Sequence, residues 1–156
     1  MNATLDDIRG VLIRVGATQL LLPNATISEV LSYSPPEPVE NAPDWLLGRL
    51  RWRGWRLPLV AFPVLSGQGD EQAGLGSKVV VFKALGGDPR LPFFALVTQG
   101  FPRLVTIAAD TLLEESDGEG DALPFAVSAR VRLNDDIAQI PDLDQLERSV
   151  REALAA

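Results

Sequence analysis

Arg49, Arg51, Arg53 and Arg56 place four of the chain's fourteen basic residues within eight positions, with Trp52 and Trp55 standing among them. Guanidinium groups present rigid donor forks that match carboxylates and phosphates, and indole faces can stack nucleic-acid bases. In a strand, alternation would put Arg49, Arg51 and Arg53 on one side. Two readings follow: a contact surface for a carboxylate-rich or phosphate-bearing partner, or a solvated face balanced by intramolecular acids such as Glu29. Exposed ion pairs contribute only about 0–1 kcal/mol, a weak reason to gather so many arginines, which favours the contact surface. For the tryptophans, packing beside Leu50 and Leu57 competes with base stacking, and their large apolar area favours the core.

Other groupings carry less chemistry. Asp110, Glu114, Glu115, Asp117, Glu119 and Asp121 suggest a calcium loop, but an EF-hand counted from Asp117 would find Ala122 where glycine is needed and Ser128 where glutamate is needed. They read as a solvated acidic loop. Gly74-Leu75-Gly76-Ser77-Lys78 lacks the residue order of a phosphate-wrapping loop and precedes a strand. With no cysteine and no histidine, serine–histidine, cysteine–histidine and zinc chemistry are out, and no spacing of carboxylates or of Tyr33 supports an enzyme. No cofactor is expected.

A formal charge of −7 and a pI near 4.5 oppose general attraction to nucleic acid or anionic lipid. Asp6 and Asp7 stand where a secretory signal would be basic or apolar, and no apolar run is long enough to span a membrane. A cytoplasmic protein without direct membrane insertion is expected, and the sequons at Asn2 and Asn24 are chance matches. The 46% hydrophobic and 22% charged content is that of a packed domain.

These residues must be positioned by strands. Ile8 to Val15 and Thr18 to Leu22 read as a hairpin through Gly16-Ala17, and Asn24 to Tyr33 leans to strand. Ser34 to Pro43, with four prolines, reads as an extended surface loop. Asp44 can cap one turn through Trp45 and Leu46. A hairpin centred on Arg53-Gly54 sets Trp52 opposite Trp55, Arg51 opposite Arg56 and Leu50 opposite Leu57. Ser66 to Ser77 reads as a flexible glycine-rich loop. Lys78 to Leu85 and Phe93 to Gln99 form a second hairpin buried on both faces. Shorter strands follow at Leu104 to Ile107, Phe125 to Leu133 and Asp136 to Ile140. Pro141 and Asp142 start the one convincing helix, with Leu143, Leu146, Val150 and Leu154 at helical spacing. The expected class is all-β dominated, as small antiparallel barrels or a sandwich with a C-terminal helix.

In order and spacing, several segments resemble the CheW-like domain family of bacterial chemotaxis coupling proteins. They are Gly48, Arg51-Trp52-Arg53-Gly54 and Leu57-Pro58-Leu59-Val60, supported by Leu22-Pro23, Ile27-Ser28-Glu29-Val30, Ala42-Pro43-Asp44-Trp45 and Asp142-Leu143-Asp144-Gln145-Leu146. The resemblance runs from about Arg9 to Leu154. It implies one domain over residues 1–156 built as two intertwined small antiparallel β-barrels. It also implies a non-catalytic adaptor that links methyl-accepting chemoreceptors to a CheA-type histidine kinase, recruited to membrane receptor arrays. By position it places Ile27, Glu29 and Val30 near the kinase-facing surface and Arg53 and Gly54 at the coupling hairpin, where Glu29 and Arg53 pair. Gly48, Arg51 and Arg56 complete the expected partner-binding set. Arg51 stands where the family usually has asparagine, and Ala61-Phe62-Pro63 replaces an aspartate-containing strand end. These departures resemble an adaptor of an accessory pathway such as type IV pilus twitching motility. The alternative function is a single-stranded nucleic-acid binder using the Arg-Trp hairpin.

Overall fold

The computed structural model describes residues 7–108, 113–114, 123–133 and 136–155. Among the described residues, eleven strands form two sheets. The first contains β1 (Asp7–Val15), β2 (Thr18–Pro23), β8 (Arg103–Ala108), β9 (Leu113–Glu114), β10 (Val127–Leu133) and β11 (Asp136–Pro141), ordered β8-β1-β2-β11-β10-β9. The second contains β3 (Ile27–Ser32), β4 (Leu46–Trp52), β5 (Trp55–Val60), β6 (Ser77–Lys83) and β7 (Phe93–Gln99), ordered β3-β6-β7-β5-β4. Helix α1 (Phe62–Leu65) is a single turn after β5, and α2 (Leu143–Ala155) follows β11.

Period-two alternation assigns successive side chains to different cores. Ile13, Leu20, Leu22, Val60, Val80, Phe82, Phe94 and Leu96 meet between the sheets, with Leu146 and Val150 of α2. Their neighbours in the chain turn the other way. Leu57, Leu59, Val79, Val81, Ala95 and Val97 fill the inside of the second sheet, and Leu12, Leu21, Ile107, Val131 and Ala138 fill the inside of the first. This is why β6 and β7 read as continuous apolar runs: both faces are buried. Ile107 of β8 and Val131 of β10 share one cluster although three strands separate them in the sheet, so the sheet curls strongly. The architecture is small-barrel-like, as expected, with sheets that do not close into complete barrels. Among the described residues each sheet keeps two edge strands.

Two strand contacts are parallel, β2 with β11 and β5 with β7, where only antiparallel pairing was expected. Both arise because the chain returns to a sheet after a long excursion, a link that local sequence pattern does not encode. The hairpin turns match expectation. Val15 pairs with Thr18, and Arg53 and Gly54 take φ of 48° and 80°, as a two-residue turn with positive φ at both positions requires. Asn24–Thr26 forms a short 3-10 turn before β3. Asp44 and Trp45 form a turn that leads directly into β4 and not into a helical turn. Asp142 caps α2, accepting the Gln145 amide at 3.1 Å, as the sequence indicated.

The Ser66 to Ser77 segment is pinned, not free. Gln68 and Gln139 exchange side-chain hydrogen bonds at 2.9 and 2.7 Å. Glu71 accepts the Gly16 amide at 2.9 Å and the Gln99 side chain at 2.6 Å, tying this loop to the β1–β2 turn and the end of β7. Its other oxygen is buried without a partner. Burial pushes the Glu71 carboxyl above its ordinary value of 4.5, although the two hydrogen bonds pull the other way. Because the folded pKa exceeds the unfolded one, the Glu71 contribution to stability is complete below the unfolded pKa and is lost as pH rises through the folded value. Urea titrations between pH 4 and pH 7 should therefore show a Glu71-dependent loss of stability with rising pH, and Glu71→Gln should flatten that component. An identical pH profile in the variant would refute the assignment.

Candidate partner-binding site

The β4–β5 hairpin presents the arginines as the register predicts, with Arg51 opposite Arg56 and Trp52 opposite Trp55. The paired tryptophans differ in burial. Trp52 is 8% exposed and meets Phe93 edge-on at 4.9 Å, whereas Trp55 is 43% exposed. Only Trp52 therefore fits the expected core role. Twist at the hairpin end carries its partner beyond the edge of the core.

Glu29 is the organising acid. It accepts hydrogen bonds from the Trp52 indole at 3.0 Å and from Arg53 at 2.8 Å, while the Arg53 guanidinium lies 4.8 Å from the centroid of the Trp52 ring. Glu29 belongs to β3 and Trp52 to β4, the two edge strands of the second sheet. Side chains thus bridge a seam that backbone hydrogen bonds leave open. The Glu29–Arg53 pairing expected from the resemblance is present, and it also has a structural role. Arg53 occupies the turn, so its side chain is placed by the left-handed backbone and not by strand alternation with Arg49 and Arg51.

A second acid, Glu37, meets Arg56 at 2.9 Å and Arg51 at 3.4 Å. Glu37 reaches them because the proline-rich segment is drawn onto β4: its amide donates to the Arg49 carbonyl at 2.9 Å, and the Arg49 amide donates back at 2.8 Å. Gly48 permits that approach. Its φ is 146°, and a Cβ there would stand 2.3 Å from the Glu37 carbonyl oxygen. Since Arg49 directs its backbone groups at Glu37, its register partner Pro58 directs its own backbone groups away from β4, and the missing N–H falls where β7 pairing begins only at Leu59. Sequence reasoning named Glu29 as a counterion but missed Glu37, whose position depends on a long-range bridge. The alternating glycine in β4 was the available signal for a close backbone approach.

Ile27 and Val30 are half-buried and pack against the core between the sheets. Aspartate at either position would therefore disturb packing as well as any contact. A β-bulge between Ile27 and Glu29 turns Glu29 toward the seam. Gly54 lies open at the hairpin tip, with no atom near an added Cβ. The exposed large apolar side chains include Trp55 here and, elsewhere, Phe101, Leu104 and Ile137. The acidic run from Glu115 to Asp121 lies outside the described residues. Among the described residues no helix is long and apolar enough to cross a membrane.

Two mixed sheets, the first strongly curled, with a capped terminal helix and an arginine-rich hairpin make up the described β-rich fold. The CheW-like domain matches residues 9–151, and the chain belongs to that family. Its structure is similar to the crystal structure of scaffolding protein TtCheW from Thermoanaerobacter tengcongensis, with a TM-score of 0.70 over 86% of this chain and 88% of that one, at 15% identity. No curated protein matches by sequence.

Proposed function

We propose that this chain is a non-catalytic adaptor that couples methyl-accepting chemoreceptors to a CheA-type histidine kinase as one module over its whole length. The observation that carries this reading is the hairpin tip at Arg53-Gly54, held at a fixed angle by Glu29 and Trp52 within a chain of the CheW-like family. A prearranged turn lowers the ordering cost of docking, which is what a non-catalytic coupler requires of its contact surface. Base stacking fits this hairpin less well, because Trp52 is buried and Arg51, Arg53 and Arg56 already engage carboxylates. The finer reading is an accessory pathway of the type IV pilus kind. It is supported by the acidic run from Glu114 to Asp121 and by two departures from the family pattern, Arg51 in place of asparagine and Ala61-Phe62-Pro63 in place of an aspartate-containing strand end.

The test is capture of the CheA-type kinases and receptors of the same organism by the purified protein, with Arg53→Glu and the charge swap Glu29→Arg/Arg53→Glu alongside. Wild type should capture a specific kinase, and Arg53→Glu should weaken capture at least about tenfold, since a repelling pair replaces a hydrogen-bonded one. Recovery in the swap would assign the loss to the seam, and continued loss would assign it to direct contact. No capture of any kinase or receptor by wild type would overturn the adaptor reading.

A further inference from the structure

A cleft of about 490 Å³ opens between the hairpin, the turn at residues 88–92 and the C-terminal end of α2. It runs into a second of about 220 Å³ that shares Arg49, Arg90, Leu91 and Leu154 with it. Together they form one groove. Its floor is apolar, with Leu91, Pro92, Phe93 and Leu154, and Trp55 stands at one end. Four arginines line it, Arg49, Arg56, Arg90 and Arg151, against two carboxylates, Asp88 and Glu152. In a chain of net charge −7 the lining of the groove is richer in arginine than in carboxylate, although Glu37 and Glu147 behind it pair with Arg56 and Arg151.

The cations are unequally committed. Arg56 is held by Glu37 at 2.9 Å, Arg90 approaches Asp88 at 3.6 Å with a side chain 91% exposed, and Arg49 makes no ion pair among the described residues. The walls are fixed. Glu147, 2% exposed, accepts the Leu85 amide and lies 3.8 Å from Arg151, fastening α2 to the chain between β6 and β7. The Arg90 amide donates to Asp88 at 2.9 Å, which closes the turn and lowers the Asp88 pKa.

We propose that this groove docks an acidic peptide segment of a partner protein that carries two or three apolar side chains. Its carboxylates would meet the spare guanidinium donors, and its apolar side chains would cover Leu91, Phe93 and Leu154. A purely polar anion would leave that floor wet, and an apolar peptide would leave the arginines desolvated without partners. The groove shares Trp55 and Arg56 with the hairpin but does not include the Arg53-Gly54 turn itself, and peptide docking there is tested without a kinase.

The test is fluorescence polarisation with a short labelled amphipathic peptide of glutamate, leucine and phenylalanine, beside an all-glutamate peptide and a single-stranded oligonucleotide. Wild type should bind the amphipathic peptide saturably and the other two at least about tenfold more weakly, with affinity falling as salt rises. Arg49→Glu and Arg90→Glu should each weaken binding about tenfold or more, whereas Arg14→Glu, exposed on β1, should not. Amide shifts on titration should centre on residues 88–93 and 151–155. No saturable binding, equal loss in Arg14→Glu, tighter binding of the oligonucleotide, or shifts confined to other surfaces would each overturn the proposal.

Discussion

Trp52→Ala should lower stability by about 3–5 kcal/mol, the loss expected for removing a large buried aromatic side chain. The indole is 8% exposed, packs on Phe93 at 4.9 Å and donates to Glu29 across the seam between β3 and β4 at 3.0 Å. Truncation leaves a cavity, strips one of two hydrogen bonds from Glu29 and removes the surface beneath the Arg53 guanidinium. Trp52→Phe keeps most of the ring contact and loses the donor, so about 1 kcal/mol is expected from it. Urea denaturation of both variants checks this, with a fall in midpoint at constant m-value marking a true stability change. Equal losses in the two variants would show that the hydrogen bond, and not packing, dominates.

Gly48→Ala should cost about 2–4 kcal/mol, combining a strained backbone of about 1–3 kcal/mol with two hydrogen bonds of about 1 kcal/mol each, partly relieved by movement of the loop. The added Cβ would meet the Glu37 carbonyl oxygen at 2.3 Å and the Pro36 side chain at 2.9 Å. That obstacle is backbone and proline ring, which yield less readily than a flexible side chain. The chain relaxes by shedding the Glu37–Arg49 bridge, which also releases Glu37 from Arg51 and Arg56. Amide exchange should report this directly. The Glu37 and Arg49 amides, hydrogen-bonded across the bridge in wild type, should exchange much faster in the variant. Retained protection with unchanged stability would show that β4 accommodates the methyl group without losing the bridge.

The two variants also separate the two acids of the hairpin. Trp52→Ala disturbs Glu29, and Gly48→Ala disturbs Glu37. Comparing their effects on kinase capture, at temperatures where both remain folded, shows which counterion sets the presentation of the arginines.

Local pattern alone determined the hairpins, the buried β6–β7 pair, the capped α2 and the Arg53-Gly54 turn, because each depends on neighbours a few residues apart: alternation, a two-residue turn, an aspartate cap. The resemblance to the CheW-like family, carried by Gly48, the arginine hairpin and Leu57-Pro58-Leu59-Val60, was also readable from the sequence, as was the Glu29–Arg53 pair it implied. Tertiary structure alone decided the rest. The parallel β2–β11 and β5–β7 contacts join strands far apart in the chain, so nothing local specifies them. Trp52 and Trp55 look equivalent in sequence, yet only one reaches the seam, because burial depends on where the hairpin ends relative to Phe93. Glu37 lies in a proline-rich stretch that reads as loop, and it becomes the partner of two arginines only because Gly48 lets the backbone close on β4. The groove beside Arg49 gathers residues from the hairpin, the 88–92 turn and α2, and packing of the helix against the sheets brings them together.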